Sequence, residues 1–199
     1  VNGCTSNATT ISMTFQHAPI ANAGIDGTVC ETGTFTVSTA TVTNASGQLW
    51  TTLGDGTLTN ETTLTPSYQP GGADAGSVEL CLVAQPITPC AVSSAQDCMT
   101  ITIQENPTAD AGPDDISCYN GSYQLNGQAT NYAATLWTIA IGSDGTFDDA
   151  TKLDAIYTPG PIALSNGNVI LNLVASAIGP CITPATSQIE LTFVPEPNV

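Results

Sequence analysis

Cysteine is the residue type in this sequence with the most chemistry to offer. Seven are present, at positions 4, 30, 81, 90, 98, 118 and 181, with no CxxC pair and no Cys/His spacing of a zinc site. A thiol can serve as a nucleophile, a metal ligand or half of a disulfide. Nucleophilic work calls for a nearby base, and His17 is the only histidine. A Ser/His/Asp triad fails on the same shortage, and no phosphate-binding glycine loop is present. A pair of carboxylates could cleave a glycosidic bond, but the acids cluster in turn-like segments and differ along the chain. Disulfides remain, and they persist in oxidising compartments. The residues therefore point to a chain that is not an enzyme and that is extracellular or displayed at a cell surface.

What could position such disulfides is an internal repeat. Pro19-Ile20-Ala21-Asn22-Ala23-Gly24-Ile25-Asp26 returns as Pro107-Thr108-Ala109-Asp110-Ala111-Gly112-Pro113-Asp114. Cys30 returns as Cys118, Leu49-Trp50-Thr51 as Leu136-Trp137-Thr138, and Asp55-Gly56-Thr57 as Asp144-Gly145-Thr146. Tyr68 aligns with Tyr157, and Pro89-Cys90 with Pro180-Cys181. Within each copy, Val78, Leu80 and Leu82, or Val169, Leu171 and Leu173, alternate with outward positions. That period of two predicts half-buried strands. With 18 Gly and 13 Pro marking turns and no helical period, the fold class is all-β, built of tandem immunoglobulin-like β-sandwich repeats. Repeat 1 is read over 18–106 and repeat 2 over 107–199. Residues 1–17 match the closing strands of a preceding repeat, because Cys4 followed by Ile11, Met13 and Phe15 mirrors Cys181 followed by Ile189, Leu191 and Phe193. A donor strand for another molecule is the other reading of that segment.

The repeat suggests a disulfide scheme. One bridge per copy, Cys30–Cys90 and Cys118–Cys181, is the economical pairing. Cys81 and Cys98 have no counterparts in the second copy. Both fall out of phase with the apolar residues beside them, so both point outward from adjacent strands, where opposed Cβ atoms come within about 4.5–5.5 Å. A Cys81–Cys98 bridge follows, and Cys4 is left unpaired within the chain.

Charge narrows the partners. The sequence holds 17 acidic residues against one basic residue, Lys152, for a formal net charge of −16. Such a surface repels phosphate and anionic headgroups, which argues against nucleic acid and against direct membrane insertion. No run reaches the roughly 18 apolar residues of a spanning helix. Glu105, Asp110, Asp114 and Asp115 raise the question of calcium, which takes six to eight oxygens. The first junction, with His17, Asn22 and Asp26, lacks that density of carboxylates, so the expectation is no cofactor and a solvated acidic surface. Asp55-Gly56 and Asp144-Gly145 are read as turns. Trp50, Trp137, Tyr68 and Tyr157 are read as core and corner residues, with sugar stacking the alternative. Sequons at Asn7, Asn44, Asn60 and Asn120 mark exposed turns.

The run at 107–114, Cys118, Leu136-Trp137-Thr138, Gly145-Thr146-Phe147, Tyr157-Thr158-Pro159 and Gly179-Pro180-Cys181 resembles the PKD-like or Ig-like repeats of giant bacterial surface proteins, the type IX-secreted, gliding-motility adhesins. The resemblance spans nearly the whole chain. It implies cell adhesion by an extended surface fibre, with neighbouring repeats and surface glycans or other cell-surface components as partners. Two rivals stand beside it: a subunit of a filament assembled by strand complementation, and a carbohydrate-binding accessory module of a secreted enzyme.

Overall fold

The computed structural model describes residue 3 and residues 9–74, 76–89, 93–119 and 121–194. The first half contains β1 (Ile20–Asn22), β2 (Gly27–Cys30), β3 (Phe35–Thr36), β4 (Thr41–Thr43), β5 (Ala45–Thr52), β6 (Thr57–Thr59), β7 (Ser67–Gln69), β8 (Ser77–Pro86) and β9 (Ala95–Gln104). The second half repeats the series as β10 (Thr108–Asp110), β11 (Asp115–Cys118), β12 (Tyr123–Gln124), β13 (Gln128–Thr130), β14 (Tyr132–Ile139), β15 (Gly145–Phe147), β16 (Ile156–Pro159), β17 (Asn168–Ala177) and β18 (Ala185–Val194), with one short helix, α1 (Pro161–Asn166), before β17.

The pairing is duplicated strand for strand. One four-stranded sheet runs β2-β9-β8-β5 and its counterpart runs β11-β18-β17-β14. Facing them are β3-β7-β6 with the β1-β4 pair, and β12-β16-β15 with the β10-β13 pair. In both halves the opening strand changes sheets: β1 pairs antiparallel with β4, while β2 lies parallel to β9. The bend between them is held by a carboxylate. Asp26 accepts from the Thr100 amide at 2.8 Å, and Asp114 accepts from the Glu190 amide at 2.8 Å.

Each half closes its own apolar core. In β8, Val78, Leu80, Leu82 and Ala84 are buried while the residues between them face outward. In β17, Val169, Leu171, Leu173 and Ala175 do the same. Trp50 and Trp137 lie at the centres of the two cores, 2% and 1% exposed. The Trp50 indole N–H donates to the Thr63 carbonyl at 3.0 Å, whereas the Trp137 indole has no partner among the described residues. These two rings are packing residues, which removes them as sugar platforms. Asn44 and Asn131 occupy equivalent left-handed positions, φ 56° and 53°, just before a bulge in β5 and β14. Asparagine tolerates this region better than most residues, so the Asn44 sequon position does structural work in the turn.

The tyrosine corners use different acceptors. The Tyr157 hydroxyl donates to the Asp144 carbonyl oxygen at 2.6 Å. The Tyr68 hydroxyl donates to the Asp74 carboxylate, which also accepts from the Gly71 and Asp55 amides at 2.9 and 3.0 Å. Burial and the Asp74 carboxylate push Tyr68 up to about 12. Burial of Asp74 raises its pKa, but hydrogen bonds from Tyr68, Gly71 and Asp55 outweigh it and hold the carboxyl below its ordinary value. The unfolded chain therefore binds a proton more readily than the native one. Asp74 contributes stability above the ordinary carboxylate pKa of about 3.9, and that contribution is lost as pH falls through the lower native value. Asp74→Asn is expected to cost repeat 1 about 1–3 kcal/mol at neutral pH and to flatten this acid limb. A thermal titration of both proteins between pH 6 and 2 measures it. Curves with parallel slopes would contradict this role for Asp74.

The sequence places the closing strands of a preceding repeat, or a donor strand, in residues 1–17. Residues 1, 2 and 4–8 lie outside the described residues, and residues 9–17 form no strand. Ile11, Met13 and Phe15 are 84%, 75% and 82% exposed. An alternating segment becomes a half-buried strand only against a sheet, and none among the described residues takes it.

Candidate functional site

The features that could do more than fill a sandwich gather where the two halves meet. β2 runs parallel to the end of β9, which sets Cys30 opposite Gln104, the last residue of that strand. Cys181 sits in the turn between β17 and β18, after Pro180. These cysteines are joined: Cys30–Cys181 is a disulfide with Cα atoms 4.9 Å apart. Both are nearly buried, at 8% and 3% exposed. The Cys181 sulfur lies 3.2 Å from the Gln104 carbonyl oxygen. Around the bridge, Glu31 accepts from the Asn106 amide at 3.1 Å and from its side-chain amide at 2.7 Å. Asn131, from the turn before β14, donates to Glu105 at 2.7 Å.

This overturns the scheme of one bridge per repeat. Cys30 is not paired with Cys90, and Cys181 is not paired with Cys118, which is an exposed free thiol. The reason lies in the register. Cys118 is opposite Val194 at the far end of β18, while Cys181 precedes the near end of that strand. Ten residues of strand separate the two ends, about 30 Å at the usual rise, against a disulfide limit of about 7 Å between Cα atoms. Cys4 and Cys90 lie outside the described residues.

The second bridge is local. Cys81 and Cys98 are cross-strand partners in β8 and β9, and they are joined with Cα atoms 4.0 Å apart. The equivalent pair in the second half is Asn172 and Gln188. One sandwich therefore forms with this bridge and the other with two polar side chains in its place.

The acidic residues weighed for calcium are engaged one by one. Asp110 accepts from the Gly112 amide at 2.9 Å, and Asp114 from Glu190 as described. Asp115 accepts from the Tyr123 hydroxyl at 2.7 Å and the Ile116 amide at 2.8 Å, and these bonds, Tyr123 first, hold its carboxyl below the ordinary value. Burial and the Asp115 carboxylate push Tyr123 up to about 12. Glu105 accepts from Asn131. Among the described residues no three of His, Cys, Asp or Glu gather as metal ligands would. Asp55 and Asp144 hold turns: Asp55 accepts from the Ala73 amide, and Asp144 from the Ile162 and Ala163 amides at the start of α1. His17 is exposed and belongs to no element. Lys152 lies 3.9 Å from Asp149, with both side chains well exposed.

What sequence reasoning missed is the junction staple. Its signal was present in the sequence, since Cys30 lies in a strand that must end near Pro107 if it follows the last strand of its repeat. Matching copies gives equivalence between residues, and it gives no adjacency between one copy and the next.

No protein-family model matches the chain, and no curated protein does. Solved structures are similar in fold. Protocadherin gamma C5 EC1-3 superposes with a TM-score of 0.50 at 12% identity, over 88% of this chain and 67% of that one. Human CDH23 EC21-23 superposes with a TM-score of 0.52 at 12% identity, over 89% and 70%. An I-band fragment of titin, I67-I69, reaches a TM-score of 0.46 at 14% identity, over 90% and 66%. At such identities the protocadherin and CDH23 likenesses are ones of fold, and the fold is an all-β, immunoglobulin-like sandwich.

Proposed function

We propose that the chain is a non-enzymatic structural and adhesive repeat region of an extracellular surface fibre, of the kind carried by bacterial cell-surface adhesins. Residues 18–106 and 107–199 are its two Ig-like repeats, and residues 1–17 would supply the closing strands of a preceding one, whose sheet the exposed, alternating Ile11, Met13 and Phe15 need. The observation that carries this reading is the Cys30–Cys181 bond. A bridge between consecutive repeats makes no pocket and no catalytic group. It fixes the angle of one sandwich on the next, which a projecting fibre requires. Both disulfides need an oxidising environment. Among the described residues no helix is long and apolar enough to cross a membrane.

Small-angle scattering tests the reading. The oxidised chain is expected to be elongated with a narrow spread of inter-repeat angles, because 17 acids against one base disfavour side-by-side packing. Reduction is expected to broaden that spread. Calcium and chelator are expected to leave it unchanged, since no cofactor belongs to the reading. A compact profile, or a rod whose stiffness follows calcium and not the disulfide, would contradict it.

One observation favours the filament rival: Ile11, Met13 and Phe15 alternate and are exposed, as a donor strand would be before it completes another molecule's sheet. The native mass separates the two, since a strand-exchanged filament is a ladder of multiples of this chain. The carbohydrate module is disfavoured by the burial of both tryptophans, and a glycan array tests it directly.

A further inference from the structure

We propose that Cys118 is the open half of a second staple of the same kind, which takes the Pro-Cys turn cysteine of a following repeat. The proposal rests on the repeat-array reading above and specifies how the array is joined.

The first repeat serves as the internal comparison. Cys30 ends β2 opposite Gln104, and Cys118 ends β11 opposite Val194. The backbone around them is the same. The Glu31 amide donates to the Gln104 carbonyl at 2.9 Å, and the Tyr119 amide donates to the Val194 carbonyl at 3.0 Å. The Gly33 amide donates to the Cys30 carbonyl at 2.7 Å, and the Gly121 amide donates to the Cys118 carbonyl at 3.0 Å. Two residues at matching ends of parallel strand pairs thus share register and local hydrogen bonding. One is bonded to the next repeat and buried, and the other is a free, exposed thiol. Among the described residues a repeat is bonded at the Cys30 end and none at the Cys118 end. The sequence keeps the spacing for one: Pro197 stands three residues past Val194, as Pro107 stands three past Gln104.

The chemistry is thiol–disulfide exchange. The Cys118 thiolate attacks a small-molecule disulfide and expels one thiol. The second cysteine, as thiolate, then attacks the Cys118 sulfur of that mixed disulfide and expels the other. Two protein thiols are oxidised, one disulfide oxidant is reduced to two thiols, and the two protein protons end on those thiols.

The test extends the full chain. A copy of residues 107–199 is placed after Glu196, so that its proline falls three residues past Val194. The copy carries Cys118→Ser, leaving one open cysteine, and Ile182→Val, a mass tag at a 91% exposed position. After equilibration with oxidised and reduced glutathione, alkylation and non-reducing peptide mapping, Cys118 is expected to be joined to the tagged Cys181. Its alkylation should fall at least about tenfold relative to the 199-residue chain. If the added copy folds, shown by a third thermal transition, and both thiols still alkylate, the staple is overturned while the array reading stands. Cys118 joined to Cys4, to Cys90 or to a second molecule's Cys118 also overturns it. A copy that does not fold there contradicts the array reading and the staple together.

Discussion

Stretching the oxidised chain from its two ends is expected to leave most of both repeats folded. Force entering at residue 1 runs to Cys30, crosses the sulfur–sulfur bond to Cys181 and leaves through β18. The bonded cysteines are 151 positions apart, and the chain between them is off the force path. At about 3.3–3.6 Å per extended residue, about 500 Å of chain is hidden until the bond opens. Single-molecule force spectroscopy should therefore show, in the oxidised chain, only the short release of β1, β2 and β18. Under reductant, or in the Cys30→Ser/Cys181→Ser double variant, two events of about 300 Å each, one per repeat, should replace that short release. Equal extension with and without reductant would contradict this force path. In solution without force, the same bond closes a loop whose entropy cost in the unfolded chain is up to about 5 kcal/mol. Reduction should then lower the unfolding temperature of both repeats.

Trp50→Ala is expected to unfold the first repeat selectively. The ring is 2% exposed in a core closed by Leu80, Leu82 and Ile101, and its indole N–H is bonded to Thr63. Truncating a buried tryptophan costs about 3–5 kcal/mol, which is most of what a sandwich of this size has to spare. The second core has its own tryptophan and shares none of these side chains. Calorimetry of the reduced variant should show one transition near its original temperature and one lowered by many degrees or absent. A single cooperative loss of both would mean that the two cores are one folding unit.

Much of this was legible from pattern alone. The alternation of Val78, Leu80 and Leu82 declared a strand with one buried face, and the structure buries that face. The tryptophans, the Asp-Gly turns and the out-of-phase Cys81 and Cys98 were readable for the same reason: each depends on phase within one or two strands. The staple was not, because it depends on which end of a strand a residue occupies once a second domain is in place. Cys118 and Cys181 share a repeat and sit at opposite ends of β18, whereas Cys30 and Cys181 belong to different repeats and meet at one junction. Asp74 was also missed. Its counterpart segment in the second half holds α1, so the repeat offered no second copy to mark it. Closeness in sequence raised the question of an ion at Glu105, Asp110, Asp114 and Asp115; the donors they take, the Asn131 side chain, the Gly112 amide, the Glu190 amide and the Tyr123 hydroxyl, depend on strand pairing that spacing does not carry.

The stapled junction requires a covalent bond between consecutive repeats. Non-reducing peptide mapping of the 199-residue chain, alkylated before digestion with a protease that does not rely on Lys152, reads that bond directly. The prediction is a linked pair of peptides containing Cys30 and Cys181, a second pair containing Cys81 and Cys98, and Cys118 recovered as an alkylated thiol. Recovery of Cys30 linked to Cys90, with Cys118 linked to Cys181, would restore one bridge within each repeat and contradict the stapled junction.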